Sequence, residues 1–460
     1  MRVLLVNTAG GYGGAEGLWN CTIPLTLPYL AGLTPPDVQV TLRHLGRDRI
    51  DDDYGRHYDL VGVSTLTDQR KMAFQVADTF RERGRTVVMG GIDPTIRPDE
   101  AAAHCESVVA GEAETIWPKV VRDVENKDLK PLYREEGLPD LKGIPPPRYD
   151  LLGGGPEAAK IYYPVLTSKG CPNRCEFCFI PELFGGRLRT RPVEDVLRDI
   201  ESVVEQTNSR KIAFVDDNII GARKHAKELF KAMIPLRVQW SGECTLDIAD
   251  DPELLELATK SGCVQLSVGM ESINADSLLE IGKRCNLVER YPDQIRKIQS
   301  RKILLVTNMM VGFDHDSRES LRRTPEHLIR WKVHFIAPFI LRPLVGTRLF
   351  KRLEQEGRLL PEATRDDTRT DLATYVPKQM SPEELEQLFR NLSRRFYSLP
   401  SIARRLFVRP SPVFFKVLTL NLLVNLKLIQ LPRIRRIPGL QRAFSLLKSS
   451  RKSRILSRAT

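Results

Sequence analysis

Twice along this 460-residue chain, short apolar runs alternate with helical patterns, and that alternation leaves few folds open. In the first series the runs are Val3–Val6, Val38–Leu42, Leu60–Val63, Val87–Met89 and Val108–Ala110. Short runs that are apolar throughout, not alternating in polarity, mark strands covered on both faces. Between the third and fourth, Asp68 to Arg83 reads as an amphipathic helix with Met72, Phe74, Val76 and Phe80 among its apolar positions. Strands separated by helices predict a parallel sheet over residues 1–130. Ser64-Thr65, Gly90-Gly91 and Gly111-Glu112 fall just past strand ends, where the ligand crevice of an open α/β sheet forms.

Residues 131–156 have the composition of a linker, with Pro139, Pro145-Pro146-Pro147 and Gly153-Gly154-Gly155. A second series then begins, with candidate strands at Ile161–Leu166, Lys211–Val215, Val238–Cys244, Val264–Met270, Ile303–Asn308 and His334–Ile340. Val193, Val196, Leu197, Ile200, Val203 and Val204 are spaced for one apolar helical face, with Pro192 suited to the first turn. Six strand–helix units in a row predict a partial (β/α)6 barrel over residues 157–358, whose site would lie at the carboxyl ends of its strands. Residues 359–460 read as mainly helical, one helix opening on Ser381-Pro382-Glu383-Glu384 with a capping serine and first-turn acids.

Hydrophobic residues at 42% and charged residues at 28% exclude a disordered chain. Eight cysteines in this length are too few for a disulfide-stapled secreted scaffold, and the opening Met1-Arg2-Val3-Leu4-Leu5-Val6-Asn7 is too short an apolar run for a signal peptide. The expected location is the cytoplasm. The net charge of +12 is not spread evenly. Residues 401–460 hold 14 Lys and Arg with no acid, while the other 400 hold 56 basic and 58 acidic side chains. A neutral body with a basic tail argues against a nucleic-acid channel. Within the tail, Val413 to Leu431 is apolar but broken by two lysines, two asparagines and a glutamine, which does not suit a spanning helix. It reads as an interfacial segment on the anionic inner face of a membrane, or else as a helix packed on the barrel ahead of a solvated tail.

Chemistry concentrates in Lys169-Gly170-Cys171-Pro172-Asn173-Arg174-Cys175-Glu176-Phe177-Cys178, directly after the first candidate barrel strand. The spacing C-x3-C-x2-C lets one loop offer three thiolates, ligands that suit zinc and iron–sulfur clusters. A closed zinc site needs a fourth ligand, and no Cys or His follows within 40 residues. Cys21, Cys105, Cys244, Cys263 and Cys285 are scattered and read mostly as packed core thiols. Three thiolates and one open corner is the reading that fits.

This triplet, with an aromatic before its last cysteine, resembles that of radical S-adenosylmethionine (SAM) enzymes. Phe214-Val215-Asp216-Asp217-Asn218, Val268-Gly269-Met270-Glu271-Ser272, Gly312-Phe313-Asp314 and Pro343-Leu344-Val345-Gly346-Thr347 are similar to the family's cobalamin-binding branch, as are Gly90-Gly91-Ile92-Asp93-Pro94-Thr95 and Gly111-Glu112-Ala113-Glu114 upstream. Hopanoid C-2 methylases and related lipid- and tetrapyrrole-modifying enzymes belong to that branch. The resemblance runs from about residue 1 to residue 400. It implies an α/β chain in three parts: a flavodoxin-like (Rossmann-type) cobalamin-binding domain, a partial radical SAM barrel, and a helical basic C-terminal region. It further implies that Cys171, Cys175 and Cys178 bind a 4Fe–4S cluster whose free iron takes SAM, which is cleaved to a 5′-deoxyadenosyl radical. Phe177, Asp216, Asp217, Asn218, Glu243, Glu271 and Gly312 are the candidate SAM contacts. Ser64, Thr65, Gly90, Gly91, Thr95, Gly111 and Glu112 are the candidate cobalamin contacts. The D-x-H-x-x-G pattern that supplies a histidine to cobalt is absent, His44 and His57 standing outside it, so the cobalt would have no protein ligand.

The expectation is a C-methyltransferase acting on a hydrophobic, lipid- or isoprenoid-like substrate, reduced by a flavodoxin or ferredoxin, and meeting an anionic membrane surface through residues 401–460. A ring-closing or rearranging enzyme with the same cluster is the first alternative; a zinc-bearing membrane-associated binding protein is the second. Nucleic acid is not an expected partner, since only Cys21 and Cys105 precede Cys171, whereas the tRNA-modifying methylthiotransferases carry three further cluster cysteines upstream.

Overall fold

The computed structural model describes residues 1–8, 23–45, 48, 50–135, 137–152, 161–361, 370–406 and 412–427. Cys21, Gly153-Gly154-Gly155 and the basic stretch after Lys427 lie outside the described residues.

The first sheet has six parallel strands, β1 (Arg2–Asn7), β2 (Gln39–His44), β3 (Leu60–Ser64), β4 (Val87–Gly90), β5 (Ser107–Ala110) and β6 (Leu132–Arg134), in the order β2-β1-β3-β4-β5-β6. Leu4, Leu5, Leu60 and Val61 are 0% exposed, because helices cover both faces of the sheet. The amphipathic pattern after β3 forms a helix at Arg70–Arg81 that buries Ala73, Val76, Ala77 and Phe80, while Met72 faces outward. The sixth strand was not legible. It has three residues, lies inside the segment read as linker, and buries only Tyr133. A short edge strand pairs through its backbone and leaves little pattern in the side chains.

The second sheet is built from β7 (Tyr163–Val165), then β10 (Lys211–Phe214), β11 (Gln239–Cys244), β12 (Cys263–Glu271), β13 (Leu304–Val311) and β14 (Phe335–Ile340). All neighbours are parallel, in the order β14-β13-β12-β11-β10-β7, and the two edge strands do not pair, so the barrel is open. Between β7 and β10, β8 (Ser168–Lys169) and β9 (Arg189–Thr190) make a two-residue antiparallel ribbon around the cysteine loop. The expected helix after the loop forms at Val193–Thr207, with Val196, Ile200 and Val203 fully buried.

C-terminal helices cover the open side. The helix Pro382–Phe396 starts on a capping box between Ser381 and Glu384. Just past it, the Tyr397 hydroxyl donates to the Ile336 carbonyl (2.5 Å) and accepts from the Ile336 N–H (3.3 Å), occupying backbone groups of the edge strand β14. Among the described residues, no helix is long and apolar enough to cross a membrane.

The carboxyl ends of the two sheets face one another. Lys169 on β8 reaches Glu112 (3.2 Å) and Glu114 beyond β5, Arg189 on β9 pairs with Glu112, and the Tyr29 hydroxyl donates to Glu114 (2.7 Å). Every one of these four charges is at least four-fifths buried, two of each sign, so the junction is charge-balanced.

Candidate active site

The cysteine loop is fixed from both sides. Gly170 turns the chain at φ +90, where any Cβ would run into the Arg187 carbonyl. Inside the loop the Cys178 N–H donates to the Cys175 carbonyl (3.2 Å), and the Glu176 N–H donates to Ile281 (3.0 Å). From the outer side Arg352 makes a two-pronged contact with the Glu176 carboxylate (2.8 and 3.0 Å) and holds Glu280 (3.0 Å) and Asp314 (2.9 Å) as well. The Leu349 N–H donates to the Glu176 carbonyl (3.0 Å) and Arg348 to the Arg174 carbonyl (2.6 Å). The loop backbone therefore has partners on the barrel's last helix, Arg348–Gln355.

Above the strands, the loop borders a cavity of about 240 Å³. Cys171, Cys175 and Cys178 line it, together with Phe177, Asp217, Asn218, Glu243 and Glu271. Two other sequence candidates do not. Asp216 turns away beneath the loop, accepting hydrogen bonds from the Thr167 hydroxyl (2.7 Å), the Ser168 hydroxyl (2.6 Å) and the Thr167 N–H. It fixes the start of the loop from below. Gly312 sits past β13 at φ +106, where a Cβ would collide with the Tyr375 hydroxyl and Leu385. Its missing side chain makes room for the C-terminal segment.

Sequence reading missed Lys283, Thr245, Ser267, Asn308, Met310 and Phe339, all of which line the same cavity. Thr245 directly follows β11, and Ser267, Asn308, Met310 and Phe339 lie on β12, β13 and β14, so the strand ends themselves were the available signal. Lys283 had none, coming from a turn after a helix. Its ammonium is 3.2 Å from Glu271, with the two side chains 10% and 6% exposed. Burial alone would pull it down, yet Glu271 and the nearby Cys175 more than reverse that and keep it charged. Glu271 has φ +62 at a register shift in β12, a conformation rare outside glycine, and one carboxylate oxygen is buried without a partner. Gly269 leaves the space for this pair, since a Cβ there would meet both side chains.

Burial pushes the Cys175 thiol up to about 12 and the Cys178 thiol up to about 11. Asp217 is pushed up to about 6, by burial first and then by repulsion from Asp216. The donor set fits an iron–sulfur cluster with one open corner: three thiols from one loop, no imidazole among the described lining residues, and charged and polar groups of both signs around the remaining wall. Cys244, at the end of β11, is a fourth thiol in the wall, but it comes from the barrel itself and is only 4% exposed.

A larger cavity of about 470 Å³ lies at the carboxyl ends of the first sheet. Ser64, Gly90, Gly91, Thr95, Gly111 and Glu112 line it; Thr65 does not, its N–H donating to the Gly90 carbonyl (3.1 Å) and its carbonyl packing under Gly91. Gly111 has φ +112 and nothing within 4 Å of its Cβ position, so a side chain would project into open space at this wall. That glycine cradle, wide and mostly apolar, fits a flat macrocycle, and no imidazole is among the described residues that line it. The four-residue helix Ile180–Leu183 separates the cavities, giving Ile180 to the first and Leu183 to the second.

Two parallel sheets facing each other across a three-thiol loop define a radical SAM enzyme with an added N-terminal domain, and residues 165–328 match the Radical SAM superfamily. Residues 347–411 match a domain of unknown function, DUF4070. The chain is 31% identical over 396 residues to bacteriochlorophyllide d C-12(1)-methyltransferase of Chlorobaculum tepidum, covering 85% of this chain and 86% of that one. It is 26% identical over 358 residues to hopanoid C-2 methylase of Rhodopseudomonas palustris, covering 75% and 66%. Among solved structures, OxsB, a cobalamin-dependent SAM radical enzyme with aqua-cobalamin and SAM bound, superposes with a TM-score of 0.68 at 16% identity over 98% of this chain and 75% of that one. The chain belongs to the cobalamin-binding-domain radical SAM enzyme family. The Radical SAM superfamily uses a 4Fe–4S cluster and SAM, and the solved neighbour OxsB holds cobalamin as well.

Proposed function

We propose that this protein is a cobalamin-dependent C-methyltransferase acting on an unactivated carbon of a hydrophobic, lipid- or isoprenoid-like substrate. The observation that carries the reading is the pairing of cavities: a three-thiol cavity and a glycine-lined cavity separated by one turn of helix. Bound there, the cluster with SAM would supply the hydrogen-abstracting 5′-deoxyadenosyl radical, and cobalamin the methyl group. Cys171, Cys175 and Cys178 hold the cluster. The buried Lys283 ammonium binds the carboxylate of SAM, and Asp217 and Glu243 accept hydrogen bonds from its amino and ribose groups. Glu271 orients Lys283 (3.2 Å). Asn218 and Phe177 close the wall. Ser64, Gly90, Gly91, Thr95, Gly111 and Glu112 hold cobalamin.

The names of the two relatives denote large, mainly apolar ring systems, which supports a hydrophobic substrate. We place the enzyme in the cytoplasm, reduced by a flavodoxin or ferredoxin, with residues 401–460 meeting the anionic inner face of a membrane. The test is anaerobic incubation of reconstituted enzyme, SAM and reductant with a cell lipid extract, followed by mass spectrometry. A product heavier by one CH₂ unit supports the reading. Loss of two hydrogens identifies a ring closure instead, and a colourless zinc-bearing preparation overturns both.

A further inference from the structure

Helix Pro412–Asn425 has one face that is accounted for and one that is not. Val417, Leu420 and Val424 are buried against the barrel core, and Val413, Phe414 and Leu418 pack beside them. Asn421 donates to the His334 carbonyl (3.1 Å) and accepts from Arg405 (2.8 Å). Arg405, itself 2% exposed, donates to the Val333 (2.8 Å) and His334 (3.0 Å) carbonyls just before β14. Toward the start of the helix, Lys416 lies near enough to Lys211, the first residue of β10, to feel its charge. These anchors stretch the helix across the amino ends of the barrel strands, the end opposite the cysteine loop.

The outward face is mainly apolar, with Lys416 and Thr419 the exposed polar residues in its first half. Phe415 is 65% exposed, and Leu422, Leu423 and Leu426 are each 42–43% exposed. They are four of the eight large hydrophobics at least 42% exposed among the described residues, gathered within twelve positions and flanked by exposed Lys416 and Lys427. The same segment of chain carries the 14 cations and no acid of residues 401–460. A second copy on this face would bring two strongly cationic tails together, and a single phenylalanine among leucines offers nucleic acid little of the stacking that single-strand binders use. An apolar stripe bounded by lysines suits an anionic bilayer surface, and among the described residues no helix is long and apolar enough to span one.

We propose that the outer face of helix Pro412–Asn425 is a membrane-docking surface for anionic lipid, and that docking turns the mouth of the active site away from the bilayer. This rests on the membrane contact proposed above and gives it a location and an orientation. A substrate drawn from the bilayer must then leave it before meeting the cluster loop. The test is sedimentation of full-length, cluster-loaded enzyme with vesicles of phosphatidylcholine, with and without phosphatidylglycerol. Binding should be at least about tenfold stronger with phosphatidylglycerol and should weaken with salt. A triple variant, Phe415→Gln, Leu422→Gln and Leu423→Gln, should lose at least about tenfold of that binding while keeping its iron content, its thermal melt and its rate of SAM cleavage without vesicles. Hydrogen exchange on the vesicle-bound enzyme should slow at residues 412–427 and not at residues 171–184. Wild type that stays in solution, a triple variant that binds as wild type, protection at residues 171–184, or a dimer that the triple variant dissolves would each overturn the proposal. SAM cleavage in the same preparations reports on the chemistry separately, so the two readings fail independently.

Discussion

Glu271 holds an unfavourable backbone conformation at φ +62 with its carboxylate against a buried ammonium, and both costs fall beside the three thiols. Strain of this kind persists where surrounding contacts over-determine it, and sites are where it collects. Removing one partner of a buried pair leaves the other charge stranded, at a cost of about 3–5 kcal/mol. Lys283→Met should therefore lower unfolding free energy by about 3 kcal/mol, and the double variant Lys283→Met/Glu271→Gln should recover part of the loss in urea titrations. Lys283→Met should also weaken SAM binding at least about tenfold by calorimetry, if its ammonium meets the SAM carboxylate. At the thiols, Cys175→Ala should reduce iron well below the roughly four atoms per chain that one cluster requires, whereas Cys244→Ala should leave iron content unchanged. Equal losses from both would mean a four-thiolate site. Asp316 supplies a pH signature away from the cluster. Burial pushes its carboxyl up to about 6, although it accepts from the Gly312 (2.8 Å) and Phe313 (3.1 Å) N–H groups. The folded state then keeps a proton that the unfolded state releases near pH 4, so stability falls as pH rises from about 4 through about 6. Asp316→Asn keeps the acceptor without the charge. Relative to wild type it should gain on the order of 1 kcal/mol between pH 5 and 7.5, read from urea unfolding at both values.

Elements explain what the chain revealed and what it withheld. Five strands of the first sheet and six of the second were legible as apolar runs, because strands covered on both faces have almost no polar positions. The edge strand β6 was hidden, since only Tyr133 of its three residues is buried. The three thiols and five of the seven candidate SAM contacts come together in one cavity because they stand on one loop or directly at strand ends. Lys283 was not, because its place beside Cys175 depends on how a turn after Ala275–Glu280 folds back over the barrel. Asp216 and Gly312 show the converse: both are where a ligand contact was expected, but Asp216 is spent on Thr167 and Ser168, and Gly312 on making room for Tyr375 and Leu385. Arg352 joins three elements that sequence spacing cannot relate, Glu176 in the loop, Glu280 on a helix and Asp314 after β13. Arg352→Ala should speed hydrogen exchange across residues 172–178 and lower cluster retention on gel filtration; Arg352→Lys, which lacks the two-pronged geometry, should restore only part. Exchange unchanged in Arg352→Ala would remove the arginine from any part in holding the loop.

For the whole molecule, the main consequence of the fold is polarity of layout. The two sheets meet through their carboxyl ends, with buried Lys169, Arg189, Glu112 and Glu114 at the junction and the two cavities on either side of a single helical turn. The exposed apolar residues of helix Pro412–Asn425 lie at the other end. Docking through that face, as proposed, would let membrane contact and chemistry change independently. The central claim is that three thiolates leave one iron open to SAM, and electron paramagnetic resonance of the anaerobically reduced enzyme tests it most directly. The account predicts a reduced 4Fe–4S signal that shifts when SAM is added and is lost in Cys175→Ala. A signal from wild type that is indifferent to SAM, with a protein side chain on the fourth iron, would contradict it.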